Sequence, residues 1–388
     1  MISVYLHIPY CIQKCQYCDF CSVPLDQTAE QYCDALLSEI SLKKAEYPNE
    51  TAHTVFFGGG TPTVLPAKQL CRVLDAVRDA FPFTPDAEIS IECNPKTATK
   101  EGLSLLRRTG FNRLSIGLQS HDDTLLRRIG RVHTFLDFQD TLRWAREAGF
   151  DNVNVDVMHG LPGQTEESYC DTLKTVMDFG VEHISSYALI LEEGTPLFSA
   201  VEDGRESLPD PDAVADMEDA GFLLLEQNGY HRYEVSNFAK DGKQCRHNLT
   251  YWHNEPYLGI GVAAHGSMPG KTAWERIANT ESISTYYKKL RKNQSPEAER
   301  ILVNTFEQMF ETIMLGLRLK EGISERSFQA RFGCTIRETY PEAIAYGERY
   351  GWWDDTDRET VRLNALGMDH LDAVLRAFRE RNYWELFR

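Results

Sequence analysis

Cys11, Cys15 and Cys18 stand in the pattern Cys-x3-Cys-x2-Cys, with Tyr17 just before the last of them. Three thiolates on one short loop can hold three irons of a 4Fe–4S cube, whereas a fully ligated cube normally takes four. One iron then stays open to a substrate or cofactor, as a catalytic zinc keeps an open position. Cys21 leaves two other readings. It can complete a four-thiolate zinc or iron–sulfur site, although structural zinc usually draws two ligands from each of two separated segments. Alternatively the four thiols are unrelated, which their regular spacing opposes.

A second constellation is Cys245-Arg246-His247-Asn248-Leu249-Thr250-Tyr251-Trp252, an imidazole beside two aromatics and a thiol. Flat apolar cofactors sit well against aromatics, and haem iron takes His or Cys axially. The same residues also suit a packed loop with a hydrogen-bonded histidine. No Cys-x-x-Cys-His is present, so c-type haem attachment is not indicated. The run Gly58-Gly59-Gly60-Thr61-Pro62 lacks the Lys-Ser/Thr of a P-loop, which disfavours ATP or GTP.

These groups need elements to position them. The first half alternates β-rich runs with helical ones, which predicts a parallel α/β sheet. Strands are expected at Ser3–Ile8, His53–Phe57, Glu88–Glu92, Arg113–Leu118, Asn152–Met158 and His183–Ala188. Helices are expected at Thr28–Ala45, Ala67–Ala80, Thr99–Thr109, Thr134–Ala148 and Glu166–Phe179. Right-handed crossovers would curl the six units into a part or whole barrel. Reactive groups of such folds gather where strands end. The Cys loop follows the first strand, the Gly run the second, Glu92 closes the third and Gln119 follows the fourth. In Asn152-Val153-Asn154-Val155-Asp156-Val157 the alternation puts valines on one face and polar groups on the other. The polar face would line a barrel interior that holds something polar; a solvated edge strand is the plainer reading.

After Glu193 the pattern changes. An acidic helix is expected at Asp212–Asn228 and a strand at His231–Val235. Ser236–Gly270 shows little helical periodicity and reads as an irregular functional extension. A linker near Gln294–Glu297 precedes helices at Ile301–Leu319, Ser324–Phe332 and Ile336–Tyr350. Trp352–Asp354 and Thr360–Leu363 would form a hairpin, giving a winged-helix-like unit. Asp354, Asp355, Asp357 and Glu359 make the supposed wing acidic, which points to packing or a lid rather than DNA. The boundaries follow as 1–235, 236–295 and 296–388.

The 388 residues are 42% hydrophobic and 26% charged, the composition of an ordinary globular protein. The net charge of −17 disfavours a broad nucleic-acid surface. No apolar run reaches the ~18–20 residues of a membrane span. The start does not read as a signal peptide. Ten cysteines, four of them clustered, suit a cytoplasmic protein with one local thiolate site.

The residues Tyr5-Leu6-His7-Ile8-Pro9-Tyr10, running into the Cys motif, resemble the radical S-adenosylmethionine (SAM) superfamily. Within it the chain resembles the oxygen-independent coproporphyrinogen III oxidase family. The likeness continues through Gly58–Thr63, Ser90-Ile91-Glu92, Leu118-Gln119-Ser120, Asp156 and Gly160-Leu161-Pro162-Gly163 into the C-terminal helices. The resemblance implies a partial (β/α)6 barrel and a 4Fe–4S cluster on Cys11, Cys15 and Cys18. The open iron would bind SAM, and an electron from the cluster would cleave the sulfonium to a 5′-deoxyadenosyl radical. Tyr5, Gly59, Gly60, Thr61, Glu92, Gln119, Arg131, Asp156 and Ala188 are the implied SAM contacts. Gly60 would allow close backbone approach, Arg131 would pair with a carboxylate, and Asp156 and Glu92 would accept from ribose hydroxyls or the amine.

His247-Asn248-x-x-Tyr251-Trp252 and Gly259–Gly266 resemble the haem-chaperone branch of that family. Departures from the oxidase point the same way. No long arm precedes the first strand, the Cys-x-Cys ending is absent because Asp19 and Phe20 separate Cys18 from Cys21, and His265 replaces an apolar residue. The implied function is binding haem as cargo and passing it to an acceptor protein. His247 would be the iron ligand, Tyr251 and Trp252 would flank the ring, and His265 and Cys245 are alternative ligands. An electron donor such as flavodoxin or ferredoxin is implied if SAM is cleaved. The alternatives are the decarboxylating oxidase or another radical SAM reaction on a tetrapyrrole.

Overall fold

The computed structural model describes residues 1–354 and 356–385. Six parallel strands lie side by side in chain order: β1 (Ile2–Ile8), β2 (Ala52–Gly59), β3 (Phe83–Cys93), β4 (Arg113–Gln119), β5 (Val153–His159) and β6 (His183–Ala188). Between them run α1 (Ala29–Glu46), α2 (Ala67–Ala80), α3 (Lys100–Thr109), α4 (Phe135–Ala148) and α5 (Glu166–Asp178). Each expected unit is present; β2 and β3 run longer than expected. The helix ends have local causes. Thr134 and Asp137 close a reciprocal capping box at the start of α4, and Gly149 ends it in the left-handed conformation at φ 92°.

Alternation decides what each strand face does. Val153, Val155 and Val157 are fully buried and join one hydrophobic cluster with Leu142 of α4 and Leu173 of α5. Asn154 and Asp156 point the other way, into a cavity. Residues from the loop after β1 and from the end of β6 line that same cavity, so the sheet curls into a partial barrel.

The sheet continues beyond the six strands. On the β6 side come β7 (His231–Arg232) and β8 (Asn237–Ala239), antiparallel. On the β1 side come β9 (Tyr257–Ile260), parallel to β1, then the antiparallel β10 (His265–Pro269), β11 (Trp274–Asn279) and β12 (Glu297–Val303). Within the stretch Ser236–Gly270, read as irregular, three short strands therefore join the sheet. It also holds a short helix, Arg246–Trp252. No local side chain caps that helix. Glu88 of β3 does so instead, accepting the backbone N–H groups of Arg246 and His247 at 3.1 Å each. A cap supplied by tertiary structure leaves no local sequence signal. The acidic helix spans Pro211–Gln227, and the strand expected at His231–Val235 is only two residues long.

The C-terminal part is helical and has its own core of Ile313, Leu317, Phe328, Ile336, Tyr340, Trp352, Trp353 and Phe378. Its first helix starts at Thr305, not Ile301, because the chain stays extended through Val303 in β12 and Asn304 with Glu307 forms a capping box. The expected helix Ile336–Tyr350 breaks at Tyr340, where Pro341 starts a new helix. The expected hairpin is reduced to a bridge between Trp353 and Leu363, and Thr360–Val361 pairs with Ile323–Ser324 instead. Asp354 and Asp357 accept local hydrogen bonds from Thr356, Glu359 and Thr360; Asp355 lies outside the described residues. A final helix, Leu371–Glu385, follows. Among the described residues no helix is long and apolar enough to cross a membrane.

Candidate functional site

A cavity of about 580 Å³ opens at the C-terminal ends of the parallel strands, and Cys11, Cys15 and Cys18 all line it. The loop carrying them is pinned at its base, where Tyr10–Cys11 pairs with Val23–Pro24. Thr61 Oγ1 donates to Cys11 Sγ at 3.7 Å and Arg131 Nη1 donates to Cys15 Sγ at 3.4 Å. Burial pushes the Cys11 and Cys18 thiols up, and neighbouring thiols push both the same way. Donors aimed at sulfur and thiols close enough to feel one another suit thiolates held by a metal cluster. Among the described residues no group of three or more His, Cys, Asp or Glu side chains stands at metal-binding spacing. Cys21 faces elsewhere: its thiol lies 3.9 Å from the Glu281 carbonyl, and burial followed by Glu281 raises it, with no thiol contributing.

The Gly loop after β2 packs on the root of the Cys loop. Gly60 N donates to Ile8 O at 2.8 Å and Thr61 N to Tyr10 O at 2.7 Å. A Cβ on Gly60 would stand 2.7 Å from that Tyr10 oxygen, which is backbone and cannot step aside. Gly59, at φ +108°, lies against the His7 ring, whose Nε2 reaches the Cys21 carbonyl at 2.9 Å.

Glu92, Gln119, Arg131, Asp156 and Ala188 line the same cavity with Gly59, Gly60 and Thr61. Burial raises Glu92 to about 8, and Asp156 adds to the shift. Burial also raises Asp156, against hydrogen bonds from Asn154 and Ser185. Arg131 is oriented by donating to Gly117 O at 2.5 Å as well as to Cys15. Gln119 takes φ 73°, a strained conformation for a non-glycine residue, and its Oε1 accepts from Tyr187 at 3.0 Å. Tyr5 is the exception among these residues. It sits behind the lining, with its hydroxyl 3.2 Å from His7 Nδ1. Tyr17 of the Cys motif lines the cavity, as do Arg113 and Tyr187, which were not singled out by sequence. The alternation Arg113, Ser115, Gly117, Gln119 along β4 was the available signal for Arg113.

His247, the iron ligand that the sequence suggests, is enclosed in this structure. The ring is 1% exposed and both nitrogens are occupied. Thr54 Oγ1 gives its proton to Ser3, so His247 Nδ1–H donates to Thr54 at 2.7 Å and Nε2 accepts from Tyr251 at 2.8 Å. Phe56 stacks on the ring at 5.1 Å, and burial lowers its pKa to about 3. Tyr251 packs edge-on against Tyr257 at 4.7 Å, and Trp252 is half-buried. Of the motif only Asn248 lines the cavity. Cys245 is buried against Glu88, and burial pushes its thiol up to about 12. His265 is exposed, the one candidate ligand of the three that solvent reaches.

Comparison with known proteins agrees with this geometry. The radical SAM superfamily model matches residues 5–176, and the HemN C-terminal domain model matches residues 306–370. The heme chaperone HemW of Bacillus subtilis is 37% identical over 89% of this chain and 90% of its own length. That of Escherichia coli is 36% identical over 94% and 97%. The solved structure of E. coli coproporphyrinogen III oxidase (HemN), described as a radical SAM enzyme, superposes with a TM-score of 0.83 at 25% identity, covering 97% of this chain and 89% of that one. The chain therefore belongs to the radical SAM superfamily and, within the coproporphyrinogen III oxidase family, to its HemW branch.

Proposed function

We infer that this protein is a haem chaperone, binding haem and passing it to an acceptor protein on a scaffold that carries a 4Fe–4S cluster and SAM. The observation that supports the cofactor reading is the convergence of Cys11, Cys15 and Cys18 with Glu92, Arg131 and Asp156 on one cavity. When bound, the cluster would supply one electron to the SAM sulfonium, and flavodoxin or ferredoxin would replace it if SAM is cleaved. The chain's own residues do the holding. Three thiolates bind iron, Gly59, Gly60 and Thr61 give backbone access, and Arg131 faces a carboxylate. Glu92 and Asp156 accept from ribose hydroxyls or the amine, while Gln119 and Ala188 complete the wall. Tyr5 acts behind them through His7. The working division is 1–235 for the radical SAM core, 236–295 for the extension and 296–388 for the helical unit, in a cytoplasmic protein of porphyrin metabolism.

The haem reading is supported by the curated HemW relatives. Phe20 and Ile190, 70% and 68% exposed, line the cavity mouth and offer apolar surface to a flat ring. Binding there would draw on His265 or on a rearranged His247, with Tyr251 and Trp252 behind. The likeness to the E. coli oxidase favours a second reading, oxidative decarboxylation of coproporphyrinogen III. The test is to offer the anaerobically reconstituted protein haem and coproporphyrinogen III separately. The chaperone reading expects a Soret band with haem and no decarboxylation. Decarboxylation without haem uptake would replace it with the enzyme reading.

A further inference from the structure

The inner face of the barrel is polar far below the strand ends. Along β4 it reads Arg113, Ser115, Gly117 and Gln119, and along β3 it reads Glu88, Ser90 and Glu92. Register sets Arg113 beside Ser90, hence between Glu88 and Glu92, and sets Gly117 beside Asp156. Arg113 is 2% exposed, lines the floor of the cavity, and its Nε is buried without a hydrogen-bond partner. Unpaired buried charge is costly, so a cation in this place needs the acids around it.

We propose that Arg113 is a positioning residue, the shared counter-charge of Glu88, Glu92 and Asp156, through which the barrel floor sets the affinity for SAM. The proposal rests on the SAM reading above. Arg113 works at both ends of this set. Upward, it shares the cavity wall with the two carboxylates that would accept from SAM, and it opposes the upward push of burial on both. Downward, it is within electrostatic reach of Glu88, which holds the first N–H groups of the helix carrying His247. Burial works against the charge of Arg113, and the carboxylates Glu88 and Asp156 work for it. The other titratable groups around the floor stay fixed near neutrality. Burial holds Cys245, Tyr233 and Tyr187 protonated and His183 neutral, and Arg131 remains a cation. Glu92 and Asp156 are thus what titrates, and SAM, a cation at its sulfonium and amine, binds their ionised form.

The experiment measures SAM dissociation constants by equilibrium dialysis from pH 6 to 9, with anaerobically reconstituted wild type, R113Q, R113K and E88Q. Affinity should rise with pH in the wild type. In R113Q the midpoint should move up by about one pH unit, with about tenfold weaker binding at pH 7. R113K should keep the wild-type profile. E88Q frees Arg113 for the upper pair, so its midpoint should move down. Opposite shifts are not expected of a merely structural role. A wild-type profile in R113Q, or shifts of the same sign in R113Q and E88Q, would overturn the proposal. Should R113Q lack the wild-type circular dichroism spectrum, E88Q decides: a downward shift supports the coupling and an unmoved midpoint overturns it. Absence of SAM binding by the wild type would remove the SAM reading itself, and the proposal with it.

Discussion

Replacing His247 by alanine separates a haem ligand from a structural support. The ring makes two buried hydrogen bonds, at 2.7 Å to Thr54 and 2.8 Å to Tyr251, and stacks on Phe56. Two such bonds contribute roughly 1–3 kcal/mol together. The emptied volume between Phe56 and Tyr251 adds about 1–2 kcal/mol. The expected loss is therefore about 2–5 kcal/mol, a large part of the stability of an ordinary domain. In a thermal scan of the haem-free protein the first transition should fall by roughly 5–10 °C. The Soret band of haem loaded on whatever remains folded should keep its wild-type position, whereas His265→Ala should move it. A variant of unchanged stability with a shifted Soret band would refute this reasoning and return His247 to the role of iron ligand.

Cys21→Ala should retain iron after anaerobic reconstitution while alanine at Cys11, Cys15 or Cys18 loses most of it, because the Cys21 thiol faces the Glu281 carbonyl; equal loss in all four variants would overturn the assignment. Gly60→Ala should cost about 1–3 kcal/mol by chemical denaturation and weaken cluster retention. Its Cβ would meet backbone atoms of Tyr10, Ile8 and Pro9, and an unaltered variant would show that the two loops move freely. The protein should lose stability as pH falls from about 6.5 toward 3. Burial lowers His133 and His247 to about 3 and His183 well below normal, so at these three sites the unfolded chain binds more protons in that window. Glu39 and Glu92, raised by burial to about 7 and about 8, offset part of this loss above about pH 4.5, so it is steepest below that pH. Each histidine contributes up to ~1.4 kcal/mol per pH unit there, and a flat denaturation midpoint from about pH 4.5 to 3 would contradict it.

Much of the site was legible because it is local. The Cys spacing lies within eight residues, and the alternation from Asn152 to Val157 announces one polar and one apolar face. What stayed hidden depends on partners far along the chain. The helix Arg246–Trp252 has no cap of its own and borrows Glu88, which stands 158 positions from Arg246. The extended run to Val303 looked helical because its register comes from Trp274–Asn279, an edge that only the folded sheet provides. The surroundings of His247 stayed hidden for the same reason. An imidazole among aromatics has the same sequence signature whether it meets iron or a threonine, and Thr54 lies 193 positions away.

The buried histidine nevertheless bears on the cofactor loops. His247 holds Thr54, which is on β2, and Thr250 holds Ser3, which is on β1, at 2.7 Å. Thr54 in turn donates to Ser3 at 2.6 Å, so one turn of helix ties the two strands together near their starts. The far end of β1 runs into the Cys loop and the far end of β2 into the Gly loop. Those two loops must hold their spacing if thiols and glycine backbone are to serve one ligand, and they meet through two backbone hydrogen bonds, Gly60 to Ile8 and Thr61 to Tyr10, and through Thr61 Oγ1 donating to Cys11 Sγ. A strand is stiff along its length, so fixing the relative height of β1 and β2 at one end constrains it at the other. The polar segment that reads as a second binding site is thus also a tie between the two strands that lead into the first.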